Sequence, residues 1–291
     1  MAPEPIDLRH QASDRVIGVY VLETDDGPAL FDSGPTTCIP ALEAGLAGRG
    51  LALRDIRHLL LSHIHLDHAG AAGTLVREHP ELQVHVSEIG APHLVDPSRL
   101  EASARRLYGD AFDGLWGELA PVPEANVRVV GESVVGLECF PTPGHASHHV
   151  SYLSADGTLY AGDAAGVRVV PGRYVIPVSP PPEFDPEIWS RTIDEIEQHR
   201  PERLALIHFG VAEDVEQHLS MLREEMARWV KRVERGATED EFVGAARKDI
   251  EATVAEDPET WQRAAPLWQS YRGIERYWRK RREADAATQP R

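Results

Sequence analysis

Along the first half of the chain, short apolar runs alternate with turn residues. Residues 16–24 (VIGVYVLET) are β-branched and aromatic, Asp25-Asp26-Gly27 supplies a turn, and residues 28–34 (PALFDSG) run on apolar, so a two-stranded hairpin ending at Asp32-Ser33-Gly34 is predicted. Residues 39–50 have helical spacing and stop at glycine. The unbroken apolar run 56–62 (IRHLLLS) is of the kind buried on both faces of a sheet. A helix follows, closing before Pro80, and residues 82–88 return to strand. From about 91 to 124, Pro, Gly and amphipathic pieces such as SRLEASARRLYGDAFDGLWGEL predict a helical insertion over the rim of the sheet. Strands resume over 127–163, a helix starts near Asp185 or Pro186 after a proline-rich loop, and 203–210 (RLALIHFG) is a further buried strand. Beyond Val215 almost everything has helical spacing, and residues 281–291 read as a disordered tail. The order of elements predicts a layered α/β sandwich over 1–214 with a helical extension over 215–280.

Composition narrows the class. Of 291 residues, 42% are hydrophobic and 26% charged, which suits an ordinary globular protein able to bury a full core. A formal charge of −17 repels a polyphosphate backbone, and no long basic run offsets it, so nucleic acid is not expected as a partner. Cys38 and Cys139 form no C-x-x-C pair, which excludes a disulfide framework and argues against a thiolate zinc site. No apolar run approaches the roughly 18 residues of a membrane span, and the N-terminus lacks the features of a secretory signal. The expectation is a cytoplasmic protein with a small-molecule substrate and no membrane contact.

The chemistry is concentrated at strand ends. His63-Ile64-His65-Leu66-Asp67-His68 follows the buried run directly, where side chains converge while the sheet fixes the backbone. Three more candidate ligands stand in similar places: His145 in PTPGHASHH, Asp163 in YAGD and His208 in ALIHFG. Five imidazoles and two carboxylates suit zinc first, with iron or manganese as alternatives, and they suffice for two ions sharing a carboxylate.

With its H-x-H-x-D-H motif at His63, His65, Asp67 and His68, and His145, Asp163 and His208 following in order, the chain resembles the metallo-β-lactamase fold superfamily over roughly residues 14 to 212. The resemblance implies a four-layer αββα sandwich with appended C-terminal helices. It also implies that His63, His65 and His145 bind one metal, Asp67, His68 and His208 a second, and that Asp163 bridges them. Asp32, in FDSG, matches the family's supporting aspartate. The implied activity is that of a dinuclear metal-dependent hydrolase, glyoxalase II-like or lactonase-like, in which a hydroxide between the metals attacks a small ester, thioester or lactone. Asp67 would orient the nucleophile or accept a proton. Two alternatives stand against it: a mononuclear iron persulfide dioxygenase using His63, His145 and Asp163, and a metal-binding protein without catalysis.

His148 and His149 are expected beside the metals as supporting groups rather than as ligands. His93, in the insertion, and Arg168 and Tyr174, after the bridging aspartate, are candidate substrate contacts, with Tyr174 offered as a phenol near the carbonyl. The C-terminal aromatics Trp229, Trp261, Trp268, Tyr271 and Tyr277 are expected to pack helices, or else to support a homo-oligomer interface.

Overall fold

The computed structural model describes residues 2–254 and 258–288. Its first sheet begins with β1 (Ile6–Asp7) and the expected hairpin, β2 (Gly18–Thr24) and β3 (Gly27–Phe31), in which Tyr20 stands opposite Phe31. Helix α1 (Ile39–Ala47) crosses to β4 (His58–Leu60), and α2 (Leu66–Ala69) with α3 (Ala72–Glu78) crosses to β5 (Gln83–Val86). Both strands join in parallel, a pairing that needs such crossovers. Leu59, Leu60 and Leu61 are fully buried, which accounts for the unbroken apolar run. The insertion folds as α4 (Ala91–Val95), α5 (Ser98–Tyr108) and α6 (Phe112–Trp116), after which β6 (Val127–Val129) completes the sheet.

The second sheet contains β7 (Ser133–Val134), β8 (Leu137–Pro141), β9 (Val150–Leu153), β10 (Thr158–Tyr160), β11 (Arg203–Leu206) and β12 (Gly210–Ala212), adjacent in that order. Helix α7 (Pro186–His199) makes the crossover from β10 to β11; Asp185 caps it by accepting from the Ile188 amide at 2.9 Å, and proline occupies its first turn. Strands β1 and β12, two and three residues long, carry too few positions to show a period.

Aromatic rings lock the two sheets together. Phe31 meets Tyr152 and Tyr160 at centroid distances of 5.9 and 5.4 Å. The Tyr152 hydroxyl donates to the Leu61 carbonyl and that of Tyr20 to the Leu206 carbonyl, each at 2.9 Å, so apolar ring bodies fill the core while their polar tips find backbone acceptors. With helices on the outer faces, the architecture is the expected αββα sandwich with appended C-terminal helices.

Those helices are α8 (Val215–Glu234), α9 (Glu239–Thr253), α10 (Pro258–Ala264) and α11 (Leu267–Thr288). Trp229 and Trp261 are buried, and Trp229 meets Phe242 at 5.1 Å, the packing role expected of these aromatics. The expected disordered tail is corrected: α11 continues to Thr288, helped by good helix formers and by Arg281 pairing with Glu187 on α7, while 289–291 lie outside the described residues. Among the described residues no helix is long and apolar enough to cross a membrane.

A buried histidine on α8 gives the fold a pH signature. His218 donates to the Ala165 carbonyl at 2.7 Å, and burial lowers its pKa from 6.5 to about 4. The folded form therefore resists a proton that the unfolded chain accepts below 6.5, so this contribution is intact at neutral pH and is lost as pH falls towards 4. Urea unfolding at pH 5 should show about 2 kcal/mol less stability from this group than at pH 7.5. In His218→Gln that part of the pH slope should vanish; an unchanged slope would contradict the assignment.

Candidate metal centre

The centre lies where strand ends of both sheets meet. His63 follows β4, and the motif loop leads into α2, which carries Asp67 and His68. Asp163 sits in the single turn after β10 and His208 just beyond β11. His145 comes from the loop joining β8 to β9. Gly162 makes the approach possible. Its φ is +50°, and a Cβ there would stand 2.6 Å from Ser62 Cβ and 2.7 Å from His149 Nε2.

The donor atoms fall into convergent groups. Those of His63, His65 and His145 lie within 4.8 Å of one another, as do those of Asp67, His68 and His208, and those of His63, His68 and Asp163. Asp163 faces both sides: Oδ2 lies 3.4 Å from His145 Nε2, while Oδ1 lies 3.5 Å from His68 Nε2 and 3.7 Å from His208 Nε2. Asp67 Oδ2 stands 3.4 Å from His208 Nε2. His63 Nε2 is 2.8 Å and His145 Nε2 3.0 Å from His65 Nδ1.

Outer hydrogen bonds decide which ring nitrogens face inward. His145 Nδ1 donates to the Val178 carbonyl at 2.8 Å and His208 Nδ1 to the Val16 carbonyl at 2.6 Å. His68 Nδ1 donates to Asp32 at 2.7 Å. Ser62 Oγ gives its proton to Asp32 at 2.8 Å and so accepts from His63 Nδ1 at 3.0 Å. In all four rings the neutral tautomer set by these bonds carries its lone pair on Nε2, facing inward, the arrangement that metal-binding histidines take. Among the described residues His68 Nε2 and Asp163 Oδ1 are buried with no hydrogen-bond partner, and such orphaned atoms call for an ion. The donor set therefore fits divalent cations.

Electrostatics point the same way. Burial, followed by the surrounding imidazoles, holds His63 and His65 well below the usual histidine range, so both stay neutral. Burial opposes charge on Asp163, but His68 and His145 outweigh it and keep the carboxyl ionised; His68 and His208 do the same for Asp67. Burial also opposes charge on His68, yet Asp163, Asp67 and Asp32 raise its pKa. The cluster thus combines neutral imidazoles at His63, His65 and His145 with two anionic carboxylates, which favour a proton on His68 and His208 that a cation would displace. Only His65 and Asp67 are partly exposed among the seven, so the centre opens on their side.

The supporting residues divide. Asp32, fully buried with φ +58°, accepts from the Ser62 amide at 2.7 Å as well as from His68, and so ties the hairpin end to the motif loop. His149 Nε2 accepts from the Asp163 amide at 3.1 Å, and its Nδ1 lies 2.8 Å from Thr142 Oγ1. His93 lies on α4 and belongs to none of the donor groups. Arg168 and Tyr174 are corrections. The Arg168 guanidinium is taken up by Asp214 at 2.7 and 3.2 Å and by the Gly172 carbonyl, and the Tyr174 hydroxyl goes to the buried Glu225 at 2.8 Å. The buried guanidinium and phenol are thus met by partners of their own, away from the donor groups.

Sequence reasoning passed over Ser62 and Glu183. Ser62 directly precedes the motif, two residues after β4, a signal that was available. Glu183 holds the Ser147 amide at 2.9 Å and lies 3.6 Å from His148 Nε2, but it arrives on a proline-rich loop with no spacing pattern to mark it.

Comparison with known proteins places these residues in context. The sequence model of the metallo-beta-lactamase superfamily matches residues 14–210. An uncharacterized protein of Bacillus subtilis, YobT, is 28% identical over 154 residues, covering 52% of this chain and 63% of its own, so the match spans less than two thirds of that relative. An N-acyl homoserine lactonase of Bacillus thuringiensis is 24% identical over 230 residues, 69% of this chain and 82% of its own. Among solved structures, the archaeal metallo-beta-lactamase superfamily protein ST1585 from Sulfolobus tokodaii superposes with a TM-score of 0.65 at 21% identity, over 89% of this chain and 93% of that one. TTHA1623, in a di-iron-bound form, gives a TM-score of 0.54 at 24% identity, over 70% and 91%.

Proposed function

We propose that this chain, which belongs to the metallo-beta-lactamase superfamily, is a metal-dependent hydrolase that uses a dinuclear centre on a small ester, thioester or lactone. The observation that carries this reading is Asp163, whose two oxygens face separate groups of inward-pointing donors. His63, His65 and His145 would hold one divalent cation, and Asp67, His68 and His208 a second, with Asp163 shared between them. Such cations supply Lewis acidity toward a carbonyl and a water-derived nucleophile at neutral pH.

The chain's own groups do the rest. Asp32 fixes the His68 ring, and His149 holds the Asp163 backbone, so the donors are preorganised before substrate arrives. Asp67, ionised and with 26% of its side chain exposed, accepts a hydrogen bond from entering water and orients it. The lactonase relative supports this reaction class, and the acidic surface supports a small molecule rather than nucleic acid as partner.

Metal quantification followed by a panel of esters, thioesters and lactones tests the reading. Two bound equivalents of zinc, iron or manganese are expected, with turnover abolished by chelation and restored by the metal. Metal-loaded protein inactive across the panel would refute it. One iron with oxygen consumption would favour a persulfide dioxygenase instead.

A further inference from the structure

The insertion and α11 meet over the open side of the centre. Leu66, between His65 and Asp67, joins Ala104, Phe112 and Trp116 in a small second core, and Tyr108, at the end of α5, packs against it. The insertion thus rests directly on the motif. The Tyr108 ring stands edge-on to Trp116 at 5.2 Å and to Trp268 of α11 at 6.4 Å. His10 stacks on the other ring of this cap, Trp116, at 5.3 Å, and so ties the insertion to the N-terminal segment.

The hydroxyl is held in an unusual way. Gln269 Nε2 donates to Tyr108 Oη at 3.1 Å, so the oxygen accepts, and its own proton has no acceptor among the described residues. Burial, and after it the charge of Asp67, raise the phenol's pKa and keep that proton in place. A fixed phenol with a spare O–H, packed against the core that Leu66 joins between His65 and Asp67, is a ready donor.

We propose that Tyr108 is the substrate-binding phenol of this site. Its O–H is donated to an oxygen of a substrate held beside Asp67, and the substrate's nonpolar group lies along Leu115, Leu119 and Trp268. Gln269 is a positioning residue that turns the hydroxyl outward. The assignment rests on the hydrolytic reading and narrows it to carbonyl compounds with an apolar chain. It also moves the phenol role from Tyr174 to a residue of the insertion.

Tyr108→Phe and Gln269→Leu in the metal-loaded full chain test this. The first removes only the hydroxyl, so metal content and melting temperature should stay those of the parent. For 4-nitrophenyl hexanoate, kcat/KM should fall about tenfold or more in Tyr108→Phe, mainly through kcat, and by a smaller factor in Gln269→Leu. Binding of hexanoate, followed by tryptophan fluorescence, should weaken about fivefold in Tyr108→Phe. Parental values for both in Tyr108→Phe would overturn the proposal, as would a parent that neither hydrolyses nor binds hexanoate. A parent without esterase activity whose hexanoate affinity still depends on Tyr108 would sink the hydrolytic reading alone and leave the Tyr108 assignment standing.

Discussion

Asp163→Asn is expected to lower kcat/KM by about a thousandfold or more, a loss of about 4 kcal/mol in transition-state stabilisation. The reason is local. Asp163 presents one oxygen to His145 and the other to His68 and His208, and an amide has only one acceptor oxygen to serve both sides. Its NH2 would also point a donor at a ring nitrogen or at a cation. The backbone should not move, because the Asp163 amide still reaches His149 and Gly162 still fits against Ser62. Bound metal should therefore drop while the metal-free melting temperature stays within a few degrees of the parent. Two tightly bound equivalents and undiminished turnover in Asp163→Asn would remove the bridging role.

Gly273→Val should be the most damaging change outside the centre. A Cβ at Gly273 would stand 1.9 Å from the Ser179 carbonyl oxygen, so α11 lies against the backbone of that loop. The same loop donates the Ser179 amide to Ser270 Oγ at 3.1 Å, and its neighbour Val178 holds His145 Nδ1. Valine must push the helix or the loop aside, at a cost of about 3 kcal/mol. Because the loop orients His145, metal affinity should fall about tenfold as well. Urea unfolding of the metal-free protein and a competition titration with a chelator measure the two effects separately. Gly244, exposed on α9 with open space around it, serves as the control: Gly244→Ala should stabilise by roughly 0.5–1 kcal/mol and leave metal affinity alone. Equal behaviour of the two variants would show that α11 does not support the centre.

How much of this could be read beforehand follows from the range of the interactions. His63, His65, Asp67 and His68 lie within six positions after a fully buried strand, and His145, Asp163 and His208 each follow a strand of their own, so local pattern and family order were enough. Asp32 was legible for the same reason. Arg168 and Tyr174 misled because they are near Asp163 in sequence, whereas their partners Asp214 and Glu225 come from beyond β12 and from α8. Tyr108 was hidden for the opposite reason. It lies 161 positions from Gln269 and 41 from Asp67, and only folding of the insertion onto Leu66 and of α11 onto the insertion brings it to the site. The tail was misread because its charged, polar composition was weighed above its helix formers, and because the Arg281–Glu187 pair comes from α7, 94 positions away.

The placement of the donors has a mechanical consequence. His63, His65, Asp67 and His68 belong to the first sheet's half of the chain, His145, Asp163 and His208 to the second's, so each three-residue donor group draws from both halves. Ions held there would act as rivets joining two plates, closing loops of about 80 and 140 residues in a chain whose two cysteines are both free. Starvation for metal would then do more than silence the chemistry. It would loosen the molecule along its midline, leaving the shared core and a few hydrogen bonds such as Tyr152 to Leu61 to hold the plates together.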